Sequence, residues 1–277
     1  MTNYSLKFLY SRIKKQTLTK QQAQSKVCQE IFIAKIGSSD VLTSKTVFKG
    51  GLIIDALSNG QRGYTKDIDF DLIKHPLSID GLLSFIDELN KSSAFSNVKI
   101  AIDRIEELRH QNYHGRRLFL SFNDGFDIYN LTIDIGVYIP LVLKNTFLKY
   151  DVAFGGNAKI QVNPIERMIF EKISTFVIYG ADNSRDKDYF DVYYLITNFN
   201  YSTKLIIRMI RKELIIKKHY YNSIKETIES IKKVILNNDY KSFLKKSTRN
   251  WINEDIESTN ETFLRFLNQI IKDSVEK

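Results

Sequence analysis

The segment from Lys49 to Asp69 constrains this chain most. Lys49-Gly50-Gly51 leads into Leu52 to Ser58, which reads as a short helix stopped by Asn59-Gly60. Arg62, Thr65 and Lys66 follow, then Asp67-Ile68-Asp69. From Lys66 to Leu72 the residues alternate, with Ile68, Phe70 and Leu72 on one face and Asp67, Asp69 and Asp71 on the other. Such a strand offers one side to a core and an acidic side to something else. Two aspartates separated by one residue sit about 6–7 Å apart along a strand, close enough to converge on a metal ion. Magnesium takes carboxylate oxygens and keeps waters and substrate phosphates as its other ligands. Paired glycines ahead of a helix let backbone N–H groups approach a phosphate with no Cβ in the way. Leu131 to Val137 alternates too, and Asp134 falls on its polar face. If the two strands are neighbours, three carboxylates cluster, and a divalent cation relieves their repulsion. The competing reading is a glycine turn before an edge strand with solvated acids. Three successive outward acids on a core strand make that reading the weaker one.

The rest of the chain reads as an α+β front half and a helical back half. Thr19 and Gln22 form a capping-box pattern for a helix over Thr19 to Lys35, with Gly37 at its end. Thr46 to Lys49 is extended, and Ser78 is the expected N-cap of a helix running to Lys91. Val98 to Leu108 and Arg116 to Phe122 flank a polar turn at Gln111 to Gly115, as in a hairpin. Lys159 to Val162 is a short strand, and Asn163-Pro164 then starts a helix that Gly180 ends. From Asp186 the pattern is helical almost throughout. The expected division is a core over residues 1–160 and a helical domain over 161–277 that completes the active site and carries a basic surface.

Cys28 stands alone, so no internal disulfide forms, and the four histidines lack zinc-ligand spacing. The first sixteen residues lack the apolar run of a signal peptide, and Leu131 to Leu143 is too short to span a bilayer. The expectation is a cytoplasmic protein without a membrane partner. The formal net charge is +9, and residues 201–250 alone hold 13 Lys/Arg against 4 Asp/Glu. A basic segment of this kind suits a polyanion such as RNA or DNA, or else simply lines wet helix faces.

Within the helical half, Ile165, Ile169, Ile173 and Phe176 share an inward face, and Lys172 beside them could reach a triphosphate or snorkel at the edge of a core helix. Asp188 and Asp191, three apart, share a helix face. They could orient Lys172, hold a base or ribose, or take a proton from an acceptor hydroxyl.

The run Phe48-Lys49-Gly50-Gly51 through Arg62, Thr65 and Lys66-Asp67-Ile68-Asp69 resembles the AbiEii/AbiGii-type nucleotidyltransferase toxins. These belong to the DNA polymerase β-like nucleotidyltransferase superfamily and to toxin–antitoxin and phage-abortive systems. Lys172, and Arg185 through Leu195 with its Lys187-Asp188-x-x-Asp191, resemble the family's later motifs, so the matches span roughly residues 46–196. The resemblance implies a polymerase β-like core with a mixed sheet plus a C-terminal helical domain. It implies transfer of NMP from an NTP to an acceptor hydroxyl with release of pyrophosphate. Asp67, Asp69, Lys172 and Asp188 would be catalytic. Asp67, Asp69 and Asp134 would hold Mg²⁺ or Mn²⁺, and Gly50, Gly51, Arg62, Thr65, Lys66 and Lys172 would hold the nucleotide. The implied partners are an RNA acceptor, tRNA in the first place, and a cognate antitoxin. Where many superfamily members carry Ser or Thr after the glycine pair, this chain has Leu52. The rival readings are a metal-dependent nuclease and an inactive module that binds nucleotide or nucleic acid.

Overall fold

The computed structural model describes residues 4–13, 18–108, 115–139, 145–180 and 185–275. The turn expected at residues 111–114 lies outside them. The strands, in chain order, are β1 (Thr46–Lys49), β2 (Ile68–Leu72), β3 (Lys99–Leu108), β4 (Gly115–Asn123), β5 (Ile128–Val137), β6 (Thr146–Asp151) and β7 (Asn157–Val162). They make one mixed sheet in the order β3-β4-β5-β2-β1-β7-β6, with β2 parallel to β5 and β1 parallel to β7. The fold class is therefore α+β, as expected. The chain divides into two compact units, the first made of residues up to Ile139 and Asn145–Asn163, the second of residues from Pro164 onward.

In the first unit α1 (Leu6–Ile13), α2 (Lys20–Gly37), α3 (Asp40–Lys45), α4 (Gly51–Leu57) and α5 (Ile79–Lys91) accompany the sheet. Thr19 caps α2 through a complete capping box with Gln22, and the Ser78 hydroxyl accepts from the Gly81 N–H at the start of α5. The apolar side of β2 is anchored by rings. Phe70 packs against Phe32, Phe48 and Phe85 at centroid distances of 5.6, 5.7 and 5.8 Å. Each such buried ring contributes about 1.5–3 kcal/mol, and turning Phe70 inward obliges Asp69 and Asp71 to face the other way. Strand β6 escapes the alternation pattern because it is a mostly exposed edge.

One core position is costly. Lys35 of α2 is fully buried, and among the described residues its Nζ has no hydrogen-bond partner. Burial first, then the charge of Lys99, pull its pKa down to about 8. The unfolded side chain titrates near 10.4, so between about pH 8 and pH 10 the unfolded chain binds more protons than the native one. Stability accordingly rises with pH across that window, and below it the buried charge costs about 3 kcal/mol. Lys35→Met is expected to raise unfolding free energy near pH 7 by about 1–3 kcal/mol. Urea titrations near pH 7 and near pH 10 check this, since the variant should lose most of the pH dependence. An unaltered pH slope would overturn it.

The second unit contains α6 (Ile165–Tyr179), α7 (Asp186–Asn198), α8 (Thr203–Met209), α9 (Ile224–Leu236), α10 (Asn238–Lys246) and α11 (Ile256–Val275). Pro164, not Asn163, is the residue at the N-cap of α6, and Gly180 ends the helix at φ 57°. Helix α8 runs on as a π-helix over Ile210–Lys217. Phe176, Tyr189 and Phe263 meet in the core, and the Tyr189 hydroxyl donates to Asn260 Oδ1 at 2.7 Å. Arg208, Arg211, Lys212, Lys245 and Lys246 of the basic segment are exposed. No helix among the described residues is long and apolar enough to cross a membrane.

Candidate active site

The first unit brings Gly50, Gly51, Arg62, Asp69 and Asp134 to the polar side of the sheet centre, through the register of its strands. Asp69 on β2 stands opposite Asp134 on β5, and Lys49 on β1 stands opposite Asp69. Cross-strand partners share a face, so these side chains emerge together. Asp67 precedes β2 at a bend and is not within the strand as its alternation suggested. Its carboxyl is nonetheless held above the ordinary range, by burial first and then by the charge of Asp134.

Each glycine makes room for a neighbouring side chain. Gly50 has φ 74° and ψ −158°, a backbone state that L side chains rarely adopt, and a Cβ there would collide with Asp69 Oδ2. A Cβ on Gly51 would stand 2.5 Å from Arg62 Nη1, so the buried Arg62 guanidinium lies against the first residue of α4. Leu52 is buried in the core of the first unit, where the residue type common in the superfamily would offer a hydroxyl. The loop carrying Thr65 and Lys66 is pinned from behind. Gln29 of α2, itself fully buried, donates from Nε2 to the Thr65 and Lys66 carbonyls at 2.7 and 3.2 Å.

The three carboxylates expected to converge do not stand as a ready-made cluster. Among the described residues no three carboxylate, histidine or cysteine groups are grouped so as to hold a metal ion. The register delivers Asp134 beside Asp69, but its carboxylate is clasped by Arg117 of β4. Arg117 Nε donates to Oδ1 at 2.7 Å and Nη2 to Oδ2 at 2.8 Å. The hydrogen bonds to Asp134 hold the guanidinium pKa above its usual value despite partial burial. Sequence reasoning passed over Arg117 because nothing but strand register selects it.

Asp71 also departs from expectation. It shares the polar face but is 1% exposed and receives Lys49 Nζ at 2.7 Å. Gly136, its partner on β5, leaves the space for that pair, since a Cβ there would collide with Asp71 Oδ1. The pair is therefore a structural support under the sheet centre.

In the second unit Lys172, Asp188 and Asp191 form a buried network. Lys172 Nζ lies 2.8 Å from Asp188 Oδ1 and 2.7 Å from Asp191 Oδ2, and Arg185 Nε donates to Asp188 Oδ2 at 2.7 Å. Asp186 at the start of α7 is bound by Ser247 and Arg249. The spacing of Asp188 and Asp191 thus serves to grip Lys172 from one helix face, the first of the roles their sequence allowed.

The first unit is thus a mixed sheet with a glycine turn packed against the strand that carries Asp69. The structure is similar to the crystal structure of JHP933 from Helicobacter pylori, with TM-score 0.52 and 16% identity over 94% of this chain and 96% of that one. At that identity the likeness concerns the fold alone. An antigenic nucleotidyltransferase-like protein from Paracoccidioides brasiliensis shares 16% identity over 69% of this chain and 92% of that one, but its TM-score of 0.36 is too low to bear on the fold. None of the curated proteins compared with the chain matches it. The model of the nucleotidyl transferase AbiEii toxin family of type IV toxin–antitoxin systems matches residues 37–260, and the chain belongs to that family. The match extends well past residue 196, into helices where no motif could be named. Membership supports a transferase with a nucleotide substrate and an antitoxin partner; nucleotidyltransferases generally use a divalent metal ion and an NTP.

The residues present suit such an ion in kind. Asp69 supplies hard carboxylate oxygens beside the glycine turn, Asp134 stands next to it in register, and Asp67 feels the charge of Asp134. What differs from expectation is that Asp134 is already engaged.

Proposed function

We propose that the chain transfers NMP from an NTP to a hydroxyl of an RNA acceptor, tRNA in the first place, as the toxin of its toxin–antitoxin pair. The observation that carries this reading is the pairing of Asp69 with Asp134, with Asp69 packed against Gly50, in a chain of the AbiEii family. In the reaction the acceptor oxygen bonds to the α-phosphorus, the bond to the bridging oxygen of pyrophosphate breaks, and the acceptor proton leaves. A divalent ion, Mg²⁺ or Mn²⁺, when bound would lower the pKa of the acceptor hydroxyl and stabilise the leaving pyrophosphate.

The chain's own residues have distinct tasks in this reading. Asp67 and Asp69 hold the ion, with Asp134 as the third ligand. Gly50 and Gly51 let backbone N–H groups approach the phosphates, while Arg62 and Lys66 supply positive charge and Thr65 lies in the loop between them. The triphosphate contact of Lys172 and the positioning role of Asp188 rest on the family pattern, and the basic helices of residues 201–250 supply a surface for phosphates of the acceptor.

Incubating the full chain with total tRNA and each α-³²P-labelled NTP in turn tests the proposal. Label on the RNA, with one NTP preferred, is the expected result. RNA shortened without any NTP requirement would replace the transferase with a nuclease, and no reaction in any mixture would leave a binding module.

A further inference from the structure

We propose that Arg117 is the built-in counter-ion of the carboxylate site, holding Asp134 until a divalent cation displaces it, so that guanidinium and cation compete for the same carboxylate. This rests on the metal reading above. Three observations carry it. First, both Asp134 oxygens are engaged by the Arg117 fork, at 2.7 and 2.8 Å. Second, the charges form one transverse row across the sheet. Glu106 on β3 pairs in register with Arg117, Arg117 with Asp134, Asp134 with Asp69, and Asp69 with Lys49. Two adjacent acids thus lie between two cations. Lys49 pairs with the buried Asp71, and Arg117 is the cation that clasps both oxygens of Asp134. Third, Arg117 has somewhere to go. Its side chain is 37% exposed against 12% for Asp134, and Glu106, which Arg104 contacts at 3.2 Å, stands across from it in register. Leaving Asp134 therefore neither buries nor strands the guanidinium.

A fixed cation a few ångströms from an arriving divalent ion opposes its binding, and a forked hydrogen bond takes one lone pair on each Asp134 oxygen. Arg117 accordingly sets how much divalent ion the site requires before Asp134 joins it, and it offsets the charge of Asp134 otherwise.

Mn²⁺ titration of the full chain, followed by electron paramagnetic resonance or calorimetry, tests this directly. R117Q is expected to bind Mn²⁺ about tenfold more tightly than the wild type, equivalent to about 1.4 kcal/mol. R117K, which keeps the charge but loses the fork, should fall between the two. The double variant D67N/D69N should lose the binding. A merely structural arginine predicts the opposite sign, because a loosened sheet binds an ion less well. Melting curves show whether R117Q is folded, and if it is not, R117K carries the test with the same direction of change. Equal or weaker binding by the Arg117 variants, with binding still dependent on Asp67 and Asp69, would overturn the counter-ion role and leave the metal site standing. No Mn²⁺ uptake by wild type or variants would overturn the metal reading, and this proposal with it.

Discussion

Asp69→Asn is expected to lower NMP transfer at least about a thousandfold, on the order of 4 kcal/mol of transition-state stabilisation, while leaving the melting temperature unchanged or slightly raised. The two halves of that prediction have one cause. Asp69 faces Asp134 across β2 and β5, and Asp67 is close enough to Asp134 to be shifted by its charge. Removing one negative charge from this group relieves like-charge repulsion in the resting protein. The same charge is what would hold an ion against an attacking hydroxyl and a departing pyrophosphate. Asparagine has nearly the shape of aspartate, so the contact with Gly50 survives and packing does not confuse the result. The label-transfer assay and a thermal melt on the same preparation provide the check. Transfer within tenfold of wild type would remove Asp69 from the reaction.

Lys172→Met is expected to destabilise the second unit by about 3–5 kcal/mol, the usual cost of removing one partner from a buried ion pair. Asp191 is fully buried and Asp188 is 3% exposed, and the ammonium of Lys172 lies within 2.8 Å of both. Asp188 keeps Arg185 after the substitution, and the fully buried Asp191 loses this close cation. Lys172→Met combined with Asp191→Asn should therefore recover part of the loss, a coupling that a double-mutant cycle in urea measures. A single variant within about 1 kcal/mol of wild type would show that the network is not a structural pair. Stability retained together with transfer lost would instead mark Lys172 as a nucleotide contact.

Much of this fold can be read from alternation. Ile68, Phe70 and Leu72 announce the inward face of β2, and Leu131, Ile133 and Ile135 do the same for β5, because burial of one face dictates period two. The acids on the reverse faces follow automatically. Which acids meet does not follow, because β5 returns to lie beside β2 past an intervening helix and hairpin. Arg117 shows the limit most sharply. Arg116 and Arg117 are adjacent, and a register slip of one residue would present the other to Asp134. Asp71 looked like a third outward acid because nothing local reveals that Lys49, 22 residues earlier, reaches it. The network around Lys172 was half legible. Helical spacing put Asp188 and Asp191 on one side, but that both grip the lysine depends on how α6 packs against α7.

The parallel pairing of β2 with β5 bears on how such a toxin can be made safely. Asp69 and Asp134 are 65 residues apart in the chain, and they become neighbours only when the last strand of that pair has been synthesised and inserted. A polypeptide emerging from the ribosome carries the glycine turn and the first two acids long before their partner exists. Non-local strand pairing is slow to form. The cell making this protein therefore meets a finished acid pair only after Asp134 has left the ribosome, an interval in which an antitoxin can be made ready.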